Sequence, residues 1–277
     1  MNITLSEIDH LKMAKATNEK QVTILGSTGS IGCNTLDLIS RDKDGYNLKA
    51  LTAHKNVKKL SEQAVEFNAE MAVIADETLF DDLKSALAGT GIIAAAGKEA
   101  LNEAADMPAD WVMSSIVGAA GLKPTLTAIR RGATIALANK ECLVCAGDFM
   151  MDQVKESGAT ILPVDSEHNA IFQIFDFEHP ESIEKITLTA SGGPFYNTDI
   201  AEMEAITPTE AVLHPNWSMG AKISVDSATM MNKGLELIEA YYLFPVDKDQ
   251  LDIIIHPQSI IHSMVSYIDG SVLAQLE

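Results

Sequence analysis

Through the first half of the chain, short apolar runs alternate with longer amphipathic stretches. Residues 22–25, 48–52, 71–74, 91–95, 111–114 and 134–138 read as strands, each too short for a stable helix and bounded by polar or turn-forming residues. Between them apolar positions recur at helical spacing; in 57–67, Leu60, Ala64 and Phe67 fall on one face. This alternation predicts a parallel, doubly wound α/β sheet, because parallel neighbours need a crossover connection and helices supply it. Beyond Val164 the texture changes. Ser191-Gly-Gly-Pro194, Thr207-Pro208 and His214-Pro-Asn-Trp217 punctuate shorter elements, and 253–255, 260–266 and 271–276 read as further strands. The expected division is an extension over 1–18, a first domain over 19–164 and a second over 165–277.

Composition sharpens this picture. A chain of 277 residues, 47% of them hydrophobic, can bury a large core and exceeds the usual single-domain length. A formal net charge of −19 argues against a nucleic-acid groove or an anionic membrane surface as partner. Cys33, Cys142 and Cys145 are too few for a disulfide framework, which points to a reducing compartment. The Cys142-x-x-Cys145 pair reads as two helical thiols packed inside rather than a redox couple. Residues 1–18 lack a signal or transit pattern, and no apolar run approaches membrane-spanning length, so a cytoplasmic protein is expected.

The first candidate chemistry follows the first strand. Gly26-Ser-Thr-Gly29-Ser-Ile-Gly32 links residues 22–25 to a helical stretch at 33–40. A strand, a glycine loop and a helix bring backbone amides close to a pyrophosphate at the positive end of the helix. An NAD site places an acid at the end of the second strand to hold the ribose hydroxyls. Here that segment reads Leu51-Thr-Ala-His-Lys-Asn56, with no acid between Asp44 and Glu62. Lys55, flanked by His54 and Asn56, can receive a 2′-phosphate, which favours NADP; the competing reading makes Lys55 the start of a solvated helix.

A second set of residues gathers in the second half. Asp165-Ser166-Glu167 follows the apolar run 160–164, and an extended backbone there turns both carboxylates to one side. With Glu236 they would offer hard oxygen donors to Mg²⁺ or Mn²⁺; the alternative is a capped helix over 168–175. Lys233 and Glu236 share a helix face, and Ser227, Asn232 and Lys233 are donors suited to a phosphate, or else a helix cap and a surface ion pair beside a buried Met230-Met231. Ser191-Gly-Gly-Pro194 suits an anion or any hairpin. His214, Trp217 and Met219 lie in a Pro- and Gly-bounded loop of the kind that closes over a polar ligand. Lys140, in Asn139-Lys140-Glu141, sits where a substrate oxygen could meet it, or simply starts a helix.

LGSTGSIG, ALANKE, VDSEHNAIFQ, SGGPF, HPNWSMG, ISVDSATMMNKGLE and IHPQSIIHSMV occur in this order from about residue 22 to the end. Together they closely resemble the 1-deoxy-D-xylulose 5-phosphate reductoisomerase family. The resemblance implies an N-terminal Rossmann-like doubly wound sheet followed by an α+β catalytic and dimerisation domain, and a homodimer. It implies metal binding by Asp165, Glu167 and Glu236, with Mn²⁺, Mg²⁺ or Co²⁺ as the ion. Substrate contacts fall on Lys140, Ser166, Glu167, Ser191, His214, Ser227, Asn232, Lys233 and Glu236, with Trp217 and Met219 in a lid. NADPH contacts fall on Thr28, Gly29, Ser30, Ile31, His54, Lys55, Asn56, Asn139, Glu141 and Gly220, with His54 standing where the family often has glycine. Family members continue into a C-terminal helical domain that the chain is expected to lack.

The implied reaction rearranges a 1-deoxyketose phosphate and reduces the product with NADPH to 2-C-methyl-D-erythritol 4-phosphate. Two rival readings remain at this level. Another NADP-linked enzyme, a semialdehyde or homoserine dehydrogenase, needs no carboxylate trio, and the semialdehyde enzyme needs a cysteine in its catalytic half, whereas none follows Cys145. The other rival is a cofactor-binding or dimer-forming piece without turnover.

Overall fold

The computed structural model describes residues 19–213 and 220–276. The expected extension over 1–18 and the loop residues His214, Trp217 and Met219 lie outside them. The chain forms two compact units. One runs to Asn139 and takes back residues 153–160; the other comprises Lys140–Asp152 and the chain from Ile161 onward.

The first unit is built from β1 (Lys20–Leu25), α1 (Ser30–Ser40), β2 (Tyr46–Ala53), α2 (Val57–Glu66), β3 (Met71–Ile74), α3 (Phe80–Ala86), β4 (Ile93–Ala96), α4 (Gly97–Asp106), β5 (Trp111–Ser114), α5 (Leu122–Arg130) and β6 (Thr134–Leu137). The seven-stranded sheet runs β4-β3-β2-β1-β5-β6-β7, with β7 at Thr160–Pro163. Every neighbour from β4 through β6 is parallel. Central parallel strands are covered on both faces, which is why they read as unbroken apolar runs. Val22, Ile24, Leu25, Leu51, Val73 and Val112 are accordingly sealed from solvent. The 71–74 and 111–114 expectations coincide with β3 and β5; the others shift by one or two residues at their ends, where fraying hydrogen bonds leave boundaries loosely defined.

Two features fix the glycine loop between β1 and α1. Gly26 has φ +92°, and a Cβ there would stand 2.9 Å from the Ser115 carbonyl oxygen, so only glycine fits. The loop is then gripped from the neighbouring strand and helix. The Gly26 amide donates to Thr52 Oγ1 at 2.9 Å and the Ser27 amide to the Thr52 carbonyl at 2.8 Å. Buried Ser27 donates its hydroxyl to Gln63 Oε1 at 2.8 Å, and Gln63 Nε2 donates back to the Ser27 carbonyl at 3.0 Å.

The chain passes between units through α6 (Lys140–Ser157), which breaks at Ala146, where φ is −147° and ψ 30°. The second unit then contains α7 (Ser166–Ile174), β8 (Ile183–Ala190), α8 (Pro208–Ala211), α9 (Ala221–Ala228), α10 (Met231–Leu243), β9 (Leu251–Ile255), β10 (Ile261–Tyr267) and β11 (Val272–Leu276). Its four-stranded sheet has the order β11-β10-β8-β9, antiparallel except for the β8–β9 pair. Ile171, Phe175, Ile186, Leu188, Ala240, Phe244 and Val265 form its core. At Gly147 of α6 the Tyr242 ring packs against bare backbone, so a Cβ there would push the ring aside.

Three local expectations change. Residues 166–167 are helical, because the strand stops at Pro163 and Asp165 takes the N-cap position of α7. Of the two thiols, Cys142 is buried but Cys145 faces solvent; the helix breaks at Ala146, directly after Cys145. Met231 is 49% exposed, while Met230 forms the left-handed junction of α9 and α10 at φ 59° rather than a core plug.

The Gln63 grip yields a measurable expectation. Gln63→Leu leaves the Ser27 hydroxyl and carbonyl buried without this partner, and a loss of about 1–3 kcal/mol of folding stability is expected, read by urea unfolding. Amide exchange at Ser27 and Thr28 should accelerate with it; unchanged protection would show that Thr52 alone holds the loop.

Candidate active site

In the first unit, the loop delivers Thr28, Gly29, Ser30 and Ile31 to the start of α1. Gly29 is the N-cap and carries no side-chain cap, so the first-turn amides rely on partners outside the helix. That is a ready pole for an anion. At the end of β2, which adjoins β1, His54, Lys55 and Asn56 are exposed. The Asn56 side chain is committed to capping α2, accepting from the Lys59 amide at 3.1 Å. Lys55 Nζ lies 3.8 Å from Asp76 Oδ2, an acid outside the sequence reading. Asn139 follows β6 and is buried, donating to the carbonyls of Ile116 and, at 3.0 Å, of Gly118.

The second unit gathers the carboxylates. Asp165 sits at the N-cap of α7 yet makes no capping bond; its side chain turns away to Lys140 Nζ at 2.5 Å. Glu167, in the first turn of the same helix, accepts from Lys233 at 2.8 Å and from Ser166 Oγ at 2.7 Å. Glu236 arrives from α10, buried to 1% exposure. It is bonded to Lys140 at 3.0 Å, Asn232 Nδ2 at 2.5 Å and Lys233. Asn232 closes the ring by accepting from Lys140 at 2.8 Å. Lys140 and Lys233, 7% and 4% exposed, are therefore neither solvated helix-start nor surface ion-pair residues. Asn232 and Lys233 join the carboxylates in one network rather than forming a separate cluster.

Oxygens of Asp165, Glu167 and Glu236 lie within 4.8 Å of one another. Three carboxylates offer converging hard oxygen donors, which fits a divalent cation. The electrostatics are strong because the groups are dry. Burial raises Glu236 above the ordinary carboxylate value, and Asp165 and Glu167 add to it. Burial would raise Asp165 too, but Lys140 and His168 hold it well below. Burial opposes charge on Lys140 and Lys233, and their acidic partners outweigh it and raise both.

The remaining expected residues are placed separately. Ser191 Oγ accepts from the Gly193 amide at 3.3 Å in the turn after β8, and Gly193 packs against the Ser227 carbonyl. Glu141 pairs with Lys222 at 2.6 Å, and Lys222 also meets Asp226. Exposed Gly220 opens α9.

Two residues escaped the sequence reading. His168 and Glu239 are both fully buried, with His168 Nδ1 3.2 Å from Glu239 Oε2 and 3.7 Å from Asp165 Oδ1. The Glu239 approach is off the line of a directed hydrogen bond and is a close polar contact. The other ring nitrogen meets the Glu236 carbonyl at 2.9 Å. His168 is thus wedged between the backbone of one candidate ligand and the side chain of another. The only local signal was spacing: Glu236 and Glu239 share a face of α10. Burial pushes Glu239 up to about 8. Burial alone would depress His168, but Asp165 and Glu239 raise it to about 9.

Both groups hold protons more tightly folded than unfolded, so their stabilisation is complete below their ordinary values of 4.5 and 6.5 and is lost as pH rises through about 8 and 9. The thermal midpoint of metal-free protein should therefore fall between about pH 4.5 and 9, with Glu239 acting from 4.5 to about 8 and His168 from 6.5 to about 9. Glu239→Gln should flatten that fall; an equally steep fall would show that other groups cause it.

With this geometry in place, comparison with known proteins is specific. The family described as 1-deoxy-D-xylulose 5-phosphate reductoisomerase matches residues 22–147, and the C-terminal domain of that description matches 161–244. Relatives of that name from Zymomonas mobilis subsp. mobilis and Rhodospirillum centenum are 62% and 61% identical over 257 residues, 93% of this chain. The chain spans 66% and 64% of their lengths. A structure of the Zymomonas mobilis enzyme in complex with NADPH matches with a TM-score of 0.89 at 59% identity, over 93% of this chain and 67% of that one. A reductoisomerase crystal structure with NADPH, fosmidomycin and magnesium matches with a TM-score of 0.88 at 47% identity, over 93% and 66%. Fold, loop, carboxylate network and sequence agree, and the chain belongs to the 1-deoxy-D-xylulose 5-phosphate reductoisomerase family.

Proposed function

We propose that the chain performs the NADPH- and divalent-metal-dependent rearrangement and reduction of 1-deoxy-D-xylulose 5-phosphate to 2-C-methyl-D-erythritol 4-phosphate, an early step of non-mevalonate isoprenoid synthesis. The observation that carries this reading is the convergence of Asp165, Glu167 and Glu236 within 4.8 Å on one dry, lysine-laced site. The relatives crystallised with NADPH and with magnesium support it.

Asp165, Glu167 and Glu236 would hold the ion, Mg²⁺, Mn²⁺ or Co²⁺. When bound, the ion supplies Lewis acidity to neighbouring ketone and hydroxyl oxygens, and NADPH supplies the hydride. Lys140 and Lys233 offset the charge of the carboxylates and bridge them, and can turn from them to substrate oxygens. Ser191, Ser227, Asn232 and Lys233 would hold the phosphate, using remote binding energy to fix the reacting carbons. Ser166 orients Glu167 through its hydroxyl. The start of α1, with His54, Lys55 and Asn139, would seat the dinucleotide. His214, Trp217 and Met219 are proposed as the closing loop.

A cytoplasmic homodimer is part of the same proposal. Three cysteines are too few for a disulfide framework, which supports a reducing compartment, and among the described residues no helix is long and apolar enough to cross a membrane. Both edge strands of the second sheet, β9 and β11, expose Ile253, Ile254, Ile255, Val272, Leu273 and Leu276, an apolar surface that favours burial against a second copy.

Glu236→Gln tests the assignment. Mn²⁺ affinity by calorimetry should fall at least about tenfold, and metal-dependent NADPH oxidation with the deoxyketose phosphate should fall by about 10² or more, while NADPH binding persists. Unchanged Mn²⁺ affinity would sink the metal site. Binding of NADPH and Mn²⁺ by the unaltered chain without turnover would mark it as carrying the sites but not the reaction.

A further inference from the structure

Lys55 is the residue on which preference for a phosphorylated dinucleotide rests, and it does not stand alone. β2 and β3 are parallel neighbours, with Ala53 opposite Ile74. The pairing continues past both strand ends, where the Ala75 amide donates to the Ala53 carbonyl at 2.8 Å and the Asp76 amide to the His54 carbonyl at 3.1 Å. Asp76 is thereby set directly beside the segment that carries Lys55. Its side chain is fixed as well: Oδ1 accepts from the Thr78 amide at 3.1 Å and the Thr78 hydroxyl at 2.6 Å. That leaves Oδ2 facing the Lys55 ammonium at 3.8 Å. The bonds from Thr78 keep the carboxyl below its usual range, so it is charged at neutral pH.

We propose that Asp76 is a specificity-determining residue of the cofactor site, moderating the preference of Lys55 for a 2′-phosphate over a 2′-hydroxyl. The inference rests on the NADPH reading given above. A 2′-phosphate on Lys55 would bring like charge beside a carboxylate that Thr78 prevents from swinging away, whereas a ribose hydroxyl there could donate to it. Asp76 therefore penalises the phosphorylated dinucleotide and tolerates the other, doing from the third strand, more weakly, what an acid on the second strand does in NAD sites. Because Lys55 is 65% exposed, the effect is screened and modest, and it should shrink as salt rises.

The test is equilibrium binding of NADPH and NADH to the unaltered chain and to Asp76→Asn, followed by nicotinamide fluorescence at low and moderate salt. Asn keeps an oxygen for Thr78, and Asp76→Ser does the same, so both leave the turn intact. The ratio of the NADH to the NADPH dissociation constant is expected to rise about three- to tenfold in both variants at low salt, and less at moderate salt. An unchanged or lower ratio overturns the proposal. If the unaltered chain binds neither dinucleotide, the cofactor reading itself fails and takes this proposal with it.

Discussion

Charge is expensive to take out of water, and the second unit removes several charges at once. An isolated buried carboxylate would cost many kcal/mol, so such groups survive only when paired and hydrogen-bonded. Much of the local architecture answers that demand. Lys140 comes from the first turn of α6, Asp165 and Glu167 from the first turn of α7, and Asn232, Lys233 and Glu236 from the first turns of α10. Three helix beginnings supply the network, each contributing short-range geometry that a loop could not hold as firmly. His168 and Glu239 extend it inward, so the candidate ligands rest on polar groups rather than directly on the apolar core formed by Ile171, Phe175 and Ala240. A cation at this site would meet preassembled oxygens and would have to compete with two ammonium groups already in place.

The parallel sheet was legible in the sequence because burial on both faces writes strands as apolar runs, and β3 and β5 could be read to the residue. The carboxylate trio was legible for a different reason: each member sits in a segment whose resemblance to a known family is long and ordered. The details that failed share a physical cause. Residues 166–167 were read as extended because the approach from a strand is visible locally, whereas the helix that begins at Ser166 depends on what its far end packs against. Lys233 was readable as a phosphate donor or a surface partner, yet its pairing with Glu167 joins positions 66 residues apart, and that of Lys140 with Glu236 joins positions 96 apart. No local pattern encodes such distances. His168 and Glu239 were missed because one histidine and one glutamate among apolar neighbours look, one residue at a time, like ordinary helix composition.

The glycine loop shows the same dependence on distant sequence in a simpler form. Its motif is contiguous, but its shape is imposed from Thr52, 26 residues on, and from Gln63, 36 residues on. A peptide containing only the first strand, the glycines and the first helix would carry the whole recognisable signature without the clamp that shapes it. The native shape of the nucleotide cradle therefore requires the second strand and second helix to be docked against it. The same reasoning applies to transplantation: moving this motif into another protein would move the letters, while the conformation would stay behind with the helix that enforces it.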